Sequence, residues 1–586
     1  IPEDELFKIC LDFWHSLTYN ILMKTKLNQF DNFQGINLGT LNASFMHCQV
    51  YPTILDHVRE IMINQMAKPK EVLVVIDENG EAVEEHFDDT ETISIYEQMR
   101  EALIFLTNID TAAMDKVIQS RLDRLTGDKQ YFSFDRLNKL CWALGSISGC
   151  MTQDDENKFV VTVIKELLNL CEKTSGKSNK ALVAADIMYV VGQFPRFLCS
   201  HWAFLKTVVK KLNEFMLEKH PGVQDMASET FLKISKLTKH MFVLTHDSEL
   251  KPYVFELIRQ IPENCRDLEQ HQMLMVYEGI GHMVNVSSQQ EVLVHNLLQY
   301  ANKDWQEIIV LANQNLYTLA MPEVIKRIDF IIKINQRVAE SVGPMYVEQL
   351  RSIFSDLLKV YGHYSTCISS SISTRQNQDM LKPMKLVRRD ILRLIQIYIE
   401  KESQFQVFSE EFLPTLKALV DDFQNSDPNA RDPEVLLLFA TLFKRMGTHL
   451  AGFLQHILIN LCDTTLTMIK DDYISFPEFR ESFFTLVEKI VKHCTNGLFM
   501  LSMSQFRTFI LTILFAMKHE KPEAMDIGLT TLHALNELVV EVPEIRTQFY
   551  QTFYIPILKD TLAVMTDYRH VAGFKLQGLI LQQLII

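Results

Sequence analysis

The sequence predicts an all-α fold, a solenoid of stacked antiparallel helix pairs, and three observations carry that expectation. Glycine is scarce, 19 of 586 residues, roughly 3% against a usual ~7%. Tight hairpins, dinucleotide folds and phosphate loops need Gly where φ is positive or a ligand meets the backbone, and most of that material is missing. From Gln98 to the end, amphipathic segments of roughly 12–25 residues succeed one another, with breaks that bring back a helix pair at about 40–50 residues. That is the period of HEAT-like repeats. A chain of 586 residues also exceeds the ~250–300 at which a single core stops growing. A multi-domain globular α protein is the competing architecture.

Taken in order, a first helix starts at Pro2, with Glu3, Asp4 and Glu5 on the side the helix dipole favours. Its apolar face runs through Leu6, Ile9, Cys10, Phe13 and Leu17. Lys24 to His47 is Asn-rich and poorly periodic, which predicts a long loop between paired helices. Val72-Leu-Val-Val-Ile76 is a β-type run, Asn79-Gly80 a hairpin turn, and Ala82 to Phe87 can return, so residues 71–97 form an acidic β-hairpin insertion between helices. Between Glu71 and Met99 stand ten Asp or Glu and no Lys or Arg. A two-stranded hairpin is marginal alone and must rest on other structure. Beyond it the breaks fall at Gly127-Asp128, Pro195, Pro221-Gly222, Pro262, Pro322, Pro344, Pro433, Pro477, Pro522 and Pro543. Several of these prolines open a helix ahead of an acidic residue, as in Pro433-Glu434, Pro477-Glu478 and Pro522-Glu523.

Charge and composition narrow the function. A net charge of −15 argues against direct nucleic-acid binding, which draws its affinity from a basic footprint, and suits partners with basic surfaces. Ten cysteines at irregular spacing, with no C-x-x-C pair, read as reduced thiols of cytosol or nucleus. No apolar run reaches the ~18 residues of a membrane span. The opening Ile-Pro-Glu-Asp-Glu reads as an internal start, so the chain is expected to be a fragment. No catalytic motif survives inspection. Gly176-Lys177-Ser178 has Cys171 where a phosphate loop needs its first Gly, and Ile147 stands where a nucleophile elbow needs Ser. His47-Cys48 and His493-Cys494 lack a second ligand pair. The expectation is a non-enzyme with no cofactor and no metal.

The region Phe159–Phe215 is the sharpest candidate site. At about 100° per residue, Phe159, Val160, Val163, Leu167 and Leu170 fill one arc of a helix. Ile164, Leu168 and Cys171 extend it by roughly another 100°. The helix beginning at Ala203 repeats the pattern, with Leu205, Val209, Leu212 and Met216 as a core stripe and Phe204, Val208 and Phe215 as a second edge. Two wide arcs on neighbouring helices suit a groove for an amphipathic peptide; two simply well-buried helices would give the same pattern. From Val160 to Lys219 nine Lys or Arg stand against five Asp or Glu, a local +4. Lys177, Lys180, Lys206, Lys210 and Lys211 would ring an apolar strip and favour an acidic ligand, although a solvated face is the ordinary role of any one of them.

These residues also carry a family resemblance. The stretch FVVTVIKELLNLCEKTSGKSNKALVAADIMYVVGQFPRFLCSHWAFLKTVVKKLNEFM, followed by GVQDMASETFLKIS, is similar to the nuclear exportins that recognise leucine-rich export signals. CWALGSISG and QMAKPKEVLVV resemble the same family, as does the acidic hairpin. The likeness is dense from Met66 to about Ser235 and thinner but continuous to the end. It implies a HEAT-repeat array of the importin-β superfamily, spanning 1–586 as a fragment of a larger ring, with the export-signal groove repeats at 156–235. It implies a transport receptor that shuttles between nucleus and cytoplasm through the nuclear pore, without direct nucleic-acid or membrane binding. Its partners would be cargo proteins with leucine-rich export signals, the GTPase Ran in its GTP state, and nuclear pore proteins. By position, the groove would comprise Ile164, Leu168, Cys171, Ala184, Ile187, Met188, Phe197, Phe204, Val208 and Phe215, rimmed by Lys177, Lys180 and Lys211. Cys171 falls where the family is alkylated by electrophilic inhibitors, although a mid-helix Cys beside Glu172 is by itself an ordinary small hydrophobe. The acidic arm matches the family's Ran-contacting switch loop, with Glu78, Glu81, Glu84, Glu85, Asp88 and Asp89 as the residues in question. It reads Val83-Glu-Glu-His-Phe87 here, with more Glu than its relatives. A structural HEAT scaffold subunit of a stable assembly is the alternative.

Overall fold

The computed structural model describes residues 3–34, 52–67, 72–76, 82–86, 90–128, 130–218, 223–247, 249–374, 378–402, 405–470 and 474–585. They form a HEAT-repeat α-solenoid that divides into two compact units, Ile1–Gln289 and Gln290–Ile586.

In the first unit, helices α1 (Glu3–Gln34), α2 (Pro52–Asn64), α3 (Thr90–Ile109), α4 (Thr111–Gly127) and α5 (Phe134–Ser146) are followed by α6 (Gln153–Lys173) and α7 (Lys177–Gly192). A short α8 (Pro195–Ser200), α9 (Trp202–Met216), α10 (Val223–Val243), α11 (Tyr253–Asn264) and α12 (Gln270–Asn285) complete it. They sort into two rows. The B row stacks α1, α3, α5, α7, α10 and α12 in sequence, and the A row holds α2, α4, α6, α9 and α11. B-row helices begin at Thr90, Phe134, Lys177, Val223 and Gln270, steps of 44, 43, 46 and 47 residues that match the period read from the sequence. In the second unit Pro322–Val342, Leu381–Lys401, Glu434–Met446, Pro477–His493, Pro522–Val540 and Phe574–Ile585 stack in the same way.

Local chemistry sets the ends. Thr152 caps α6 by accepting the Asp155 N–H, acids Asp154, Asp155 and Glu156 occupy its first turn, and Lys173 its last, all in the sense the dipole favours. Ser502 and Gln505 form a capping box before Met503–Met517. Pro195, Pro322, Pro477, Pro522 and Pro543 open helices, where a missing N–H costs nothing. Pro262 differs from the reading of it as a break: it lies inside the last turn of α11.

The beginning of the chain departs from expectation in two ways. α1 continues to Gln34, so 24–34 is helical and not loop; 35–51 lies outside the described residues. Its predicted apolar face is exposed, with Leu6 at 51%, Ile9 at 59% and Phe13 at 58%. Leu11, Thr18 and Leu22 are buried instead, on the side where α1 packs against α3. Asp12 accepts from Gln98 at 2.7 Å, His15 meets Glu101 at 2.6 Å, and Lys8 pairs with Glu91.

Between α2 and α3, two helices of one repeat, β1 (Val72–Ile76) pairs antiparallel with β2 (Ala82–His86), in the register Val72↔His86 to Ile76↔Ala82. Glu84 faces Val74 and Glu85 faces Leu73 across this ladder. Glu78, Glu81, Asp88 and Asp89 lie outside the described residues.

Candidate functional site

Exposure separates the two arcs read from α6. The core arc, Phe159, Val160, Val163, Leu167 and Leu170, is no more than 5% exposed at any position. In the second arc Ile164 is buried, Cys171 is half-buried, and Leu168 is 49% exposed. α9 repeats the division: Leu205, Val209, Leu212 and Met216 are sealed, whereas Phe204 and Phe215 are half-buried beside a buried Val208. Full burial of both helices would have closed both arcs. Instead an apolar strip runs between them, because the backbones of α6 and α9 stand apart along most of their length while the B-row helices behind them pack closely.

α7 and α8 supply the floor. Ile187, Met188 and Phe197 are buried and Ala184 half-buried. Phe197 sits edge-on to Phe204 at 5.4 Å and stacks on His201 at 4.3 Å, which joins α8 to α9. Its helix is anchored from below by a fork. The Arg196 guanidinium donates to both oxygens of the nearly fully buried Glu156 at 3.1 and 2.6 Å, and to the Met151 carbonyl. The Gly149 N–H donates to the same carboxylate at 2.8 Å. Such a bidentate pair, its carboxylate buried and its guanidinium partly exposed, fixes geometry as well as energy.

The rim is basic at one end. The Cys171 thiol points at the Lys180 carbonyl, 3.7 Å away. Burial pushes that thiol up from its ordinary pKa; Lys180 and Lys211 pull the other way and Glu172 adds to the rise. Lys211 thus acts on Cys171 across the strip, while its ammonium pairs with Glu214 at 2.6 Å and lies over the Phe215 ring at 5.7 Å. Lys180 is exposed, and the Lys177 side chain lies outside the described residues. Of the five lysines expected around the strip, Lys206 is not a free rim charge. It donates to Glu249 at 2.6 Å and sits 4.7 Å over the Tyr253 ring. Trp202 donates to the same carboxylate at 3.2 Å and stacks on His246 at 4.0 Å. Burial opposes the charge of Glu249, and the bonds from Lys206 and Trp202 outweigh it, holding the carboxyl below its usual range. This knot ties α9 to the loop between α10 and α11.

One residue escaped the sequence reading. Val161 is 53% exposed and, at 100° per residue, shares an arc of about 80° with Ile164, Leu168 and Cys171. The strip therefore reaches a further turn toward the start of α6, a continuation that the spacing 161-164-168-171 already contains. Burial favours the neutral form of the Cys171 thiol, and Glu156, Glu214 and Glu249 are held in ion pairs beneath and beside the strip. It can cover apolar side chains placed at helical spacing and meet acidic flanks at Lys180 and Lys211.

Comparison with known proteins adds a family context. The family model described as CRM1 C terminal matches residues 349–586, and those for CRM1 / Exportin repeats 2 and 3 match 47–114 and 128–178. The chain is 39% identical over 588 residues to Exportin-1 of Dictyostelium discoideum, covering 100% of this chain and 55% of that protein. It is 37% identical to Protein EXPORTIN 1A of Arabidopsis thaliana, covering 100% and 56%, and 36% identical to Exportin-1 of Drosophila melanogaster, covering 99% and 55%. The chain thus spans little more than half the length of these relatives. Among solved structures, importin 13 in its cytosolic state aligns over 98% of this chain and 60% of its own, with a TM-score of 0.66 at 11% identity. Importin β aligns over 100% and 62%, with a TM-score of 0.51 at 10% identity. These two speak for the fold alone.

Proposed function

The chain is an exportin homologue along its whole length, and from that premise we propose that it carries the cargo-binding part of a nuclear export receptor. The strip between α6 and α9 takes the leucine-rich export signal of a cargo protein as an amphipathic peptide. Ile164, Leu168, Cys171, Ala184, Ile187, Met188, Phe197, Phe204, Val208 and Phe215 contact its apolar side chains. Lys177, Lys180 and Lys211 meet its acids. The observation that carries this reading is the graded second arc: Leu168 half in water, Phe204 and Phe215 half-buried, beside core arcs that are sealed.

The affinity of such a strip is modest. Four or five apolar anchors at about 2 kcal/mol each amount to ~8–10 kcal/mol. Ordering an extended peptide and fixing its rigid-body motion removes several of these, which leaves micromolar binding or weaker. A second ligand that couples to the site by about 1–3 kcal/mol then suffices to load and unload it. In this proposal that ligand is Ran in its GTP state, and the acidic arm, with Glu78, Glu81, Glu84, Glu85, Asp88 and Asp89, transmits part of the coupling. Cycling of the loaded receptor through pore proteins between nucleus and cytoplasm completes the function.

The test is a titration of a labelled leucine-rich peptide, with and without Ran in each nucleotide state, on the chain and on a variant whose arm acids are replaced by Ser. Tighter peptide binding with the GTP form, weakened in the Ser variant, supports the proposal. Linkage unchanged in the variant removes the arm from the mechanism. A permanently copurifying partner with no response to nucleotide state would favour a scaffold subunit instead.

A further inference from the structure

Helix α9 has three faces in use. At about 100° per residue, Phe204, Val208, Lys211 and Phe215 share an arc of about 60° on the strip side. Leu205, Val209, Leu212 and Met216 share the next arc, which is sealed into the core. Trp202 and Lys206 lie together beyond the core arc, nearly opposite the strip.

Both reach the same carboxylate outside the helix. Lys206 donates to Glu249 Oε1 at 2.6 Å, and the Trp202 indole N–H donates to the same oxygen at 3.2 Å. The Glu249 side chain is 8% exposed. Its Oε2 is buried with no hydrogen-bond partner among the described residues, so one atom carries both bonds. The Trp202 ring is enclosed as well. It stacks on His246 at 4.0 Å and meets the buried rings of Phe242 and Tyr253 edge-on at 5.8 and 5.9 Å. These rings come from the end of α10, the connection after it and the start of α11, so α9 is fastened to the elements that follow it.

That fastening has a mechanical consequence. Apolar packing is non-directional, so the core arc holds α9 against α10 but defines its roll about its own axis only weakly. Hydrogen bonds are directional, and those to a charged group are the stronger kind. On the strip side α9 stands apart from α6, which leaves the opposite flank to resist rolling.

We propose that Glu249 is a positioning residue for the strip: by holding Trp202 and Lys206 at one oxygen it fixes the roll of α9, and with it the angle at which Phe204 and Phe215 line the strip. Its consequence for peptide affinity rests on the function proposed above; its hold on Trp202 does not.

The test uses Glu249→Ala, Glu249→Gln, Lys206→Met and the double variant Glu249→Ala with Lys206→Met in the whole chain. Affinity for an acidic leucine-rich peptide is measured by fluorescence anisotropy, with the folded fraction of each variant taken from urea denaturation. The emission of Trp202 is read as the difference from a matched protein carrying Trp202→Phe. We expect Glu249→Ala to weaken peptide binding about 5–10-fold per folded molecule and Glu249→Gln, which keeps an acceptor for Trp202, about 2–3-fold. The double variant should lose no more than Glu249→Ala alone. Trp202 emission should shift to the red in Glu249→Ala and stay near wild type in Glu249→Gln. Where the alanine variant does not fold, weakened binding in both Glu249→Gln and Lys206→Met supports the proposal and wild-type binding in both overturns it. An unshifted Trp202 in Glu249→Ala, wild-type affinity despite a shifted Trp202, or losses that multiply in the double variant would each overturn it. Tighter peptide binding in Glu249→Ala would make Lys206 a rim charge set free, and would overturn it too. A shifted Trp202 in a chain that binds no leucine-rich peptide even unaltered would instead sink the peptide reading and leave the clamp on α9 standing.

Discussion

Truncating Phe204 to Ala should weaken peptide binding far more than it weakens the fold. The ring is half-buried and edge-on to Phe197 at 5.4 Å. Within the free protein its loss forfeits an aromatic pair of about 0.5–1.5 kcal/mol. In the complex it also forfeits the face that a peptide side chain would cover, about 1.5–2 kcal/mol, or roughly 10–30-fold in Kd. The adjacent Leu205 is fully buried and provides the contrast. Leu205→Ala should cost about 2–5 kcal/mol of stability, with peptide affinity per folded molecule close to wild type. Urea denaturation and fluorescence anisotropy on both variants separate the two quantities. Wild-type affinity in Phe204→Ala, or affinity losses that track stability in both, would refute the assignment of Phe204 to the strip.

Three further outcomes follow from the electrostatics. Because burial raises the Cys171 thiol above its ordinary pKa, its alkylation rate should climb through pH 9 with no plateau near neutrality; Lys211→Gln removes a cation that favours the thiolate and should slow the reaction at pH 8. Burial pushes Asp186 up to about 7, so the native state holds a proton that the unfolded chain has lost above about 4. Stability should therefore fall as pH rises from about 4 to 7, and Asp186→Asn should gain stability by an amount that grows over that range and then levels off, as read by thermal unfolding at pH 5, 7 and 8. Replacing Arg196 by Met leaves the buried Glu156 with only the Gly149 N–H and Arg196's own partial exposure moderates the cost; about 2–3 kcal/mol of stability should be lost, measured by urea denaturation.

Much of the fold and of the strip was legible in the sequence because both rest on helical periodicity. The core arcs of α6 and α9 follow from 100° spacing, and the repeat length follows from the proline-marked breaks. What periodicity cannot convey is which side a neighbour occupies. The face through Leu6, Ile9 and Phe13 is as apolar as a core face, yet α3 lies against Leu11, Thr18 and Leu22. Nor can it show partners far along the chain. Lys206 reads as a rim charge from the sequence alone, yet it pairs with Glu249, in a loop more than forty residues on. Val161, one turn before Ile164 and Leu168, is the exception: its place on the strip is already contained in the helical spacing.

The central claim is that the strip between α6 and α9 is where a leucine-rich peptide binds, and protection of Cys171 tests it most directly. A saturating amphipathic, acidic leucine-rich peptide should slow Cys171 alkylation at least tenfold while exposed Cys199 reacts as before, and the same peptide with its leucines changed to alanine should protect neither. Bound peptide that leaves the Cys171 rate unaltered, or equal protection by both peptides, would contradict the account.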